Sequence, residues 1–131
     1  MMQSNSRHWS ANTLLIGWAA AAMCAAISHL FLPEWTANGT SWASEVHWQR
    51  EIAYFDLLLA AALLWVANQR DISLKLAACA GISCLSLALG LQHLSGWLTA
   101  PKIFHIVFTL GNFLAVAWGT GVFLVNSRRR Y

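Results

Sequence analysis

Five residues carry groups that bind metals, move protons or hold polar ligands: His29, His47, Glu51, His93 and His105. Their neighbours recur at helical intervals. His47, Glu51 and Tyr54 stand at i, i+4 and i+7, which is one face of a helix. His105, Thr109 and Asn112 repeat that spacing, as do Ser86, Gly90 and His93. Arg50 adjoins Glu51, while Asp56 and Asn112 lie deeper in their apolar runs. Imidazole with carboxylate suits a divalent metal ion, and two histidines from different helices suit haem iron. A histidine beside an acid can also pass protons. The candidate ligand-binding set is therefore His29, His47, Arg50, Glu51, Tyr54, Asp56, His93, His105 and Asn112. Within it His29, Glu51, His93 and His105 are the candidate metal ligands, and the cofactor such a set could hold is a metal ion or haem. The sequence offers no nucleophile–base spacing, no phosphate-binding glycine loop and no Cys-x-x-Cys, so no catalytic residue is assigned.

The elements that position these groups follow from composition. Of 131 residues 58% are apolar and only 10% charged, against about 25% charged in an ordinary soluble domain. Such a chain cannot cover a water-facing surface, and lipid is its natural solvent. A spanning helix needs about 20 residues at 1.5 Å each. Four segments qualify, at about Asn12–Leu32, Val46–Ala67, Ile72–Ser95 and Ile103–Val125. The expected fold is all-α, a single domain over residues 1–131, built as an antiparallel bundle of four transmembrane helices. The second segment is the least apolar, because Asp56 interrupts it, but topology supports it. With four spans, Arg7, Arg70, Lys75, Arg128, Arg129 and Arg130 share one side and only Arg50 and Lys102 the other. Basic residues collect on the cytoplasmic side, which puts both termini there, in a bacterial inner membrane. The basic residues are scattered or terminal, so the net charge of +3 does not read as nucleic-acid binding.

The tryptophans fit this map. Trp35, Trp42, Trp48 and Trp97 fall at outer helix ends and Trp9 and Trp65 at inner ones, where indole favours the headgroup region. Trp18 and Trp118 lie deeper, as packing residues. Gly111, Ala115 and Gly119 form a stripe of small residues that would let helices approach closely, as would Gly17 with Ala21 and Ala77 with Gly81. Cys24, Cys79 and Cys84 all sit in apolar runs and read as small packing residues. Arg7 before an apolar run loosely mimics a secretory signal, but the run is longer than the usual h-region of about 7–15 residues, and the first helix is expected to be retained. Residues 33–45, with Asn38-Gly39, form a turn-rich external loop. The other connections are short, making consecutive helices antiparallel neighbours.

On this layout His29, His93 and His105 each lie about one turn, roughly 5 Å, inside the outer boundary, with His47 and Glu51 in the first outer turns. Shared depth predicts that His29, Glu51, His93 and His105 approach one another; rotation about each helix axis is not fixed by depth. Asp56, near mid-span, should find a partner on another helix, with Asn112 the candidate. The competing reading is structural: residues within two turns of a helix end can reach the headgroups, and Arg50 and Glu51 can pair with each other, with Glu45 or with lipid phosphate.

The stretch from Glu45 through His47, Arg50-Glu51 and Tyr54-Phe55-Asp56 resembles the second-helix signature of a family of uncharacterised bacterial four-helix membrane proteins. Pro33-Glu-Trp-Thr36-Ala37 is similar to that family's external loop, and Gly90-Leu-Gln-His93 to its glycine-to-histidine stretch in the third helix. Asp56 stands where the family's pattern would have an amide. The resemblance implies a four-helix fold with a polar outer layer and no particular activity. Three functional readings follow from the residues: a bundle binding a metal ion, haem or a small polar ligand near its outer face, a non-catalytic accessory or structural subunit of a membrane complex, and a small transporter acting as a homo-oligomer. All of them take the lipid bilayer as a partner.

Overall fold

The computed structural model describes residues 2–42 and 45–127. All its regular structure is helical: α1 spans Met2–Phe31, α2 Pro33–Asn38, α3 Val46–Ala67, α4 Ile72–Thr99 and α5 Ile103–Ser127. The arginine run 128–130, counted above among the inner charges, lies outside the described residues. α2 is a single turn and a half within the loop that was read as turns alone. Pro33 opens it and Glu34 stands in its first turn, both favourable where amides are unpaired and the helix dipole is positive. At the start of α4 the Asp71 side chain accepts from the Ser73 amide at 2.8 Å, capping the helix.

Three helices are long and apolar enough to cross a membrane, over Trp9–Phe31, Ile72–Thr99 and Ile103–Asn126. α3 is 22 residues long, yet any 18-residue window along it includes Arg50, Glu51 and Asp56. Its length suits a span and its charge sets it apart from the other three.

The helices pair as two hairpins. α1 packs along α3 and α4 along α5, and the pairs meet chiefly where α1 touches α4 and α5. α3 and α4, although consecutive, touch only slightly, so short connections did not make every consecutive pair close neighbours. α1 is central because its buried side repeats at helical spacing: Ala11, Leu14, Leu15, Ala19, Ala22 and Ala26. All of these but Ala26 meet Ala60, Leu63 and Val66 of α3, Cys79 and Ile82 of α4 and Val122 of α5 in one apolar core.

The small-residue stripes expected to form the seams are largely turned outward. Gly17, Ala21, Ala77 and Gly81 are exposed, and a Cβ added at Gly17, Gly81 or Gly111 would meet nothing within 4 Å. The alanines one step round α1 supply the close approach instead, and both registers satisfy the same small-xxx-small pattern. Gly119 keeps its expected role, packed against Ser83, and Gly90 lies against Asn112 and Phe113. Trp18 packs on the core, whereas Trp118 is exposed. Cys79 is buried, and Cys24 and Cys84 face outward; all three are free thiols.

Candidate functional site

α5 begins just after Pro101-Lys102, and its first turn holds His105, whose amide donates to the Lys102 carbonyl at 3.1 Å. The ring points into α4 and is fully buried. His93 and Gly96 are three residues apart on α4 and so share a face. Gly96 makes room for the ring, since a Cβ there would sit 2.6 Å from His105 Cε1 and 2.9 Å from each ring nitrogen. His93 meets it side on, Nδ1 to Nδ1 at 3.3 Å.

The loop from the other hairpin closes over this pair. Gly39 lies against the Phe104 ring, and its carbonyl accepts from the Phe104 amide at 3.2 Å. A side chain at residue 39 would exclude that contact. Two residues on, the Ser41 amide donates to His105 Nε2 at 3.0 Å, with Ser41 Oγ 2.8 Å from the same nitrogen. Trp42 covers both imidazoles, its ring centroid 4.9 Å from His93 and 4.6 Å from His105. Phe108 backs His93 at 5.0 Å, and Trp35 meets Phe104 edge-on at 4.4 Å.

The backbone amide fixes the tautomers. An amide can only donate, so His105 Nε2 is unprotonated and its proton is on Nδ1. That proton points at His93 Nδ1, which accepts, leaving the His93 proton on Nε2. The polarity runs one way, from Ser41 through His105 to His93.

The other candidate residues lie elsewhere. His29, in the last turn of α1, has Nδ1 3.3 Å from Gln49 Oε1. Gln49 is buried and donates through Nε2 to the Pro33 carbonyl at 2.9 Å, which leaves its oxygen as acceptor and the His29 proton on Nδ1. His47 Nε2 is 2.9 Å from Glu51 Oε1 at the exposed start of α3. Glu51 and Tyr54 line a shallow open recess with Phe55 and Leu58, and Arg50 is exposed. The expected Asp56–Asn112 contact is not formed. Asn112 donates to the Phe108 carbonyl of its own helix at 2.8 Å, and α3 and α5 do not pack along each other. Asp56 is half-buried, with His29 of α1 as its electrostatic neighbour. Of the four candidate metal ligands, then, His93 and His105 come together, while His29 and Glu51 point to other partners.

Two further buried polar residues, not singled out from sequence, tie elements together. One is Gln49. The other is Lys75, read above as a topology charge, which is buried at the opposite end of the bundle. Its Nζ donates to Asn12 Oδ1 at 2.6 Å and to the Ala67 carbonyl at 2.7 Å. It thereby ties α1 to α4 and satisfies a carbonyl at the end of α3 that has no partner within its own helix.

Two imidazole nitrogens 3.3 Å apart could share a tetrahedral ion at about 2.0–2.1 Å from each. The remaining donors do not fit. Among the described residues no three of His, Cys, Asp and Glu converge, and the second nitrogen of His105 is held by Ser41. The four-residue metal set is therefore not assembled. Its members share a depth but differ in rotation, because His29 and Glu51 belong to the α1–α3 hairpin and face partners within it.

No curated protein and no solved structure matches the chain. One family model, described as a family of unknown function, DUF6790, matches residues 3–118, nearly the whole chain. Its span includes α1 to α4 and the greater part of α5, the loop over the histidine pair, and the His29–Gln49, Asn12–Lys75 and His93–His105 contacts between helices. The chain belongs to the DUF6790 family.

Proposed function

We propose that the protein is a non-catalytic membrane protein that crosses the bilayer four times, with both termini in the cytoplasm, and acts as an accessory or structural subunit through contacts within the membrane. Its polar residues serve to hold helices and loop together. α3 is the fourth span in this reading, with Arg50 and Glu51 at headgroup level and Asp56 toward the α1 side. One observation carries the proposal: the fully buried His105 uses both ring nitrogens internally, on Ser41 and His93. A polar layer satisfied in this way has little capacity left for a ligand, and a satisfied buried network makes a fold rigid and unique.

Metal and haem analysis of the full chain, purified in mild detergent without chelators, tests this. The expected result is no stoichiometric metal and no haem absorption. A bound metal or haem at one per chain, lost in both His93→Ala and His105→Ala, would overturn it in favour of a ligand-binding site.

A further inference from the structure

We propose that the His93–His105 pair is a proton-operated latch: neutral, it holds the loop at Gly39–Trp42 on the α4–α5 hairpin, and protonated, it releases it. The inference rests on the same polar lock as the proposed function but fails by a different measurement.

The argument is a count of lone pairs. Two neutral imidazoles carry four ring nitrogens, two protons and two lone pairs. Both lone pairs are occupied: that of His105 Nε2 by the Ser41 amide at 3.0 Å and that of His93 Nδ1 by His105 at 3.3 Å. An added proton has no free nitrogen to take. On His105 Nε2 it displaces the Ser41 amide, and on His93 Nδ1 it sets two N–H groups against each other. The Ser41 hydroxyl can rotate to accept from a protonated Nε2, but the amide cannot reverse, and it is left without a partner beside a buried charge.

Nothing nearby neutralises that charge. The titratable group facing each ring is the other imidazole. Lys102, on the connection before α5, meets His105 through its carbonyl. From the first hairpin, His29 is engaged by Gln49, and Glu34 and Glu45 at the two ends of the loop are exposed. Among the described residues no carboxylate forms a hydrogen bond or ion pair with either ring. The sign follows: the loop is held while the pair is neutral and freed as pH falls through its titration. Trp42 leaves with it, because its stacking partners are those same rings. With this end of the bundle outside, the group senses external acid.

The test uses the full chain in nanodiscs and a broad-range protease. Cuts within residues 39–42 are quantified between pH 8 and 3.5, with an acid-tolerant protease at the lower end, and normalised to an unstructured peptide at each pH. Cleavage of a transiently opened segment follows the open population, so the rate should rise by up to tenfold per pH unit as pH falls toward the midpoint and level off below it. His105→Asn should remove the pH dependence, whereas His47→Asn, which alters only an exposed histidine, should keep it. Because His105→Asn also alters a fully buried side chain, imidazole ¹⁵N shifts of the wild-type protein give a second readout, with the cleavage midpoint coinciding with titration of His93 or His105. A flat wild-type profile, or a midpoint that tracks neither histidine, would overturn the latch, even in a protein free of metal and haem.

Discussion

Replacing Gly96 by alanine is the sharpest probe of the histidine site. The new methyl would lie 2.6 Å from His105 Cε1, closer than carbon atoms tolerate, so ring or helix must move by several tenths of an ångström. The ring has nowhere to go without lengthening its 3.0 Å bond from Ser41 or its 3.3 Å contact with His93. Overpacking of this kind costs about 1–3 kcal/mol, and one weakened hydrogen bond adds about 1 kcal/mol. Alanine's higher helix propensity returns about 1 kcal/mol. The net loss is about 1–3 kcal/mol. Gly111→Ala is the matched control, because a Cβ there meets nothing within 4 Å; it should leave stability unchanged or raise it by up to about 1 kcal/mol. Thermal unfolding in detergent, followed by loss of soluble protein, should place Gly96→Ala several degrees below wild type and Gly111→Ala at or above it. Equal melting points for the two variants would refute the packing of His105 against Gly96.

Reporters fused after Arg130 and within the Gln69–Asp71 turn should report cytoplasm, and one near Asn38 the opposite side; a C-terminus outside would sink the four-span topology. At the end of the bundle away from the histidine pair, Asn12→Ala removes one of two acceptors from a buried ammonium and should cost about 1–3 kcal/mol. In a Lys75→Met background the same change should cost much less, and additive losses in a double-mutant cycle would show that the contact carries no energy. Asp56→Leu should melt no lower than Asp56→Asn, since the carboxylate lacks the Asn112 partner expected for it; a selective loss in the leucine variant would reveal a buried acceptor for that carboxyl.

What could be read from sequence is what depends on distance along a helix. The bounds of α3 follow from its apolar run and flanks, and the shared level of His93 and His105 follows from the rise per residue. α4 runs on to Thr99 rather than stopping near Ser95, because Gly96 acts there as a clearance for His105 and not as a terminator. What could not be read is rotation. Gly17–Ala21 and Ala19–Ala22–Ala26 are equally good small-residue stripes, and packing chose the second. Gln49 carried a usable signal, since an amide in an outer turn at the depth of His29 needs a partner. Lys75 did not: a lysine at a helix end satisfies the topology rule whether it reaches out to water or, as here, folds back onto Asn12. The loop's reach across to the second hairpin depended on contacts far apart in sequence, which no local pattern encodes.

The pairing of α1 with α3 and of α4 with α5 has a consequence for how the molecule is made. Each hairpin has its own main interface and is contiguous in the chain, so α1 and α3 can pair before α4 has been synthesised. During that interval the loop, with Ser41 and Trp42, has nothing to hold. Its contacts with Phe104 and His105 can form only once α5 is in place beneath it, so docking of the loop waits on the second hairpin. Severing the chain between Asn68 and Asp71 and producing the halves together should therefore still yield the paired hairpins, with the loop docked across two separate polypeptides.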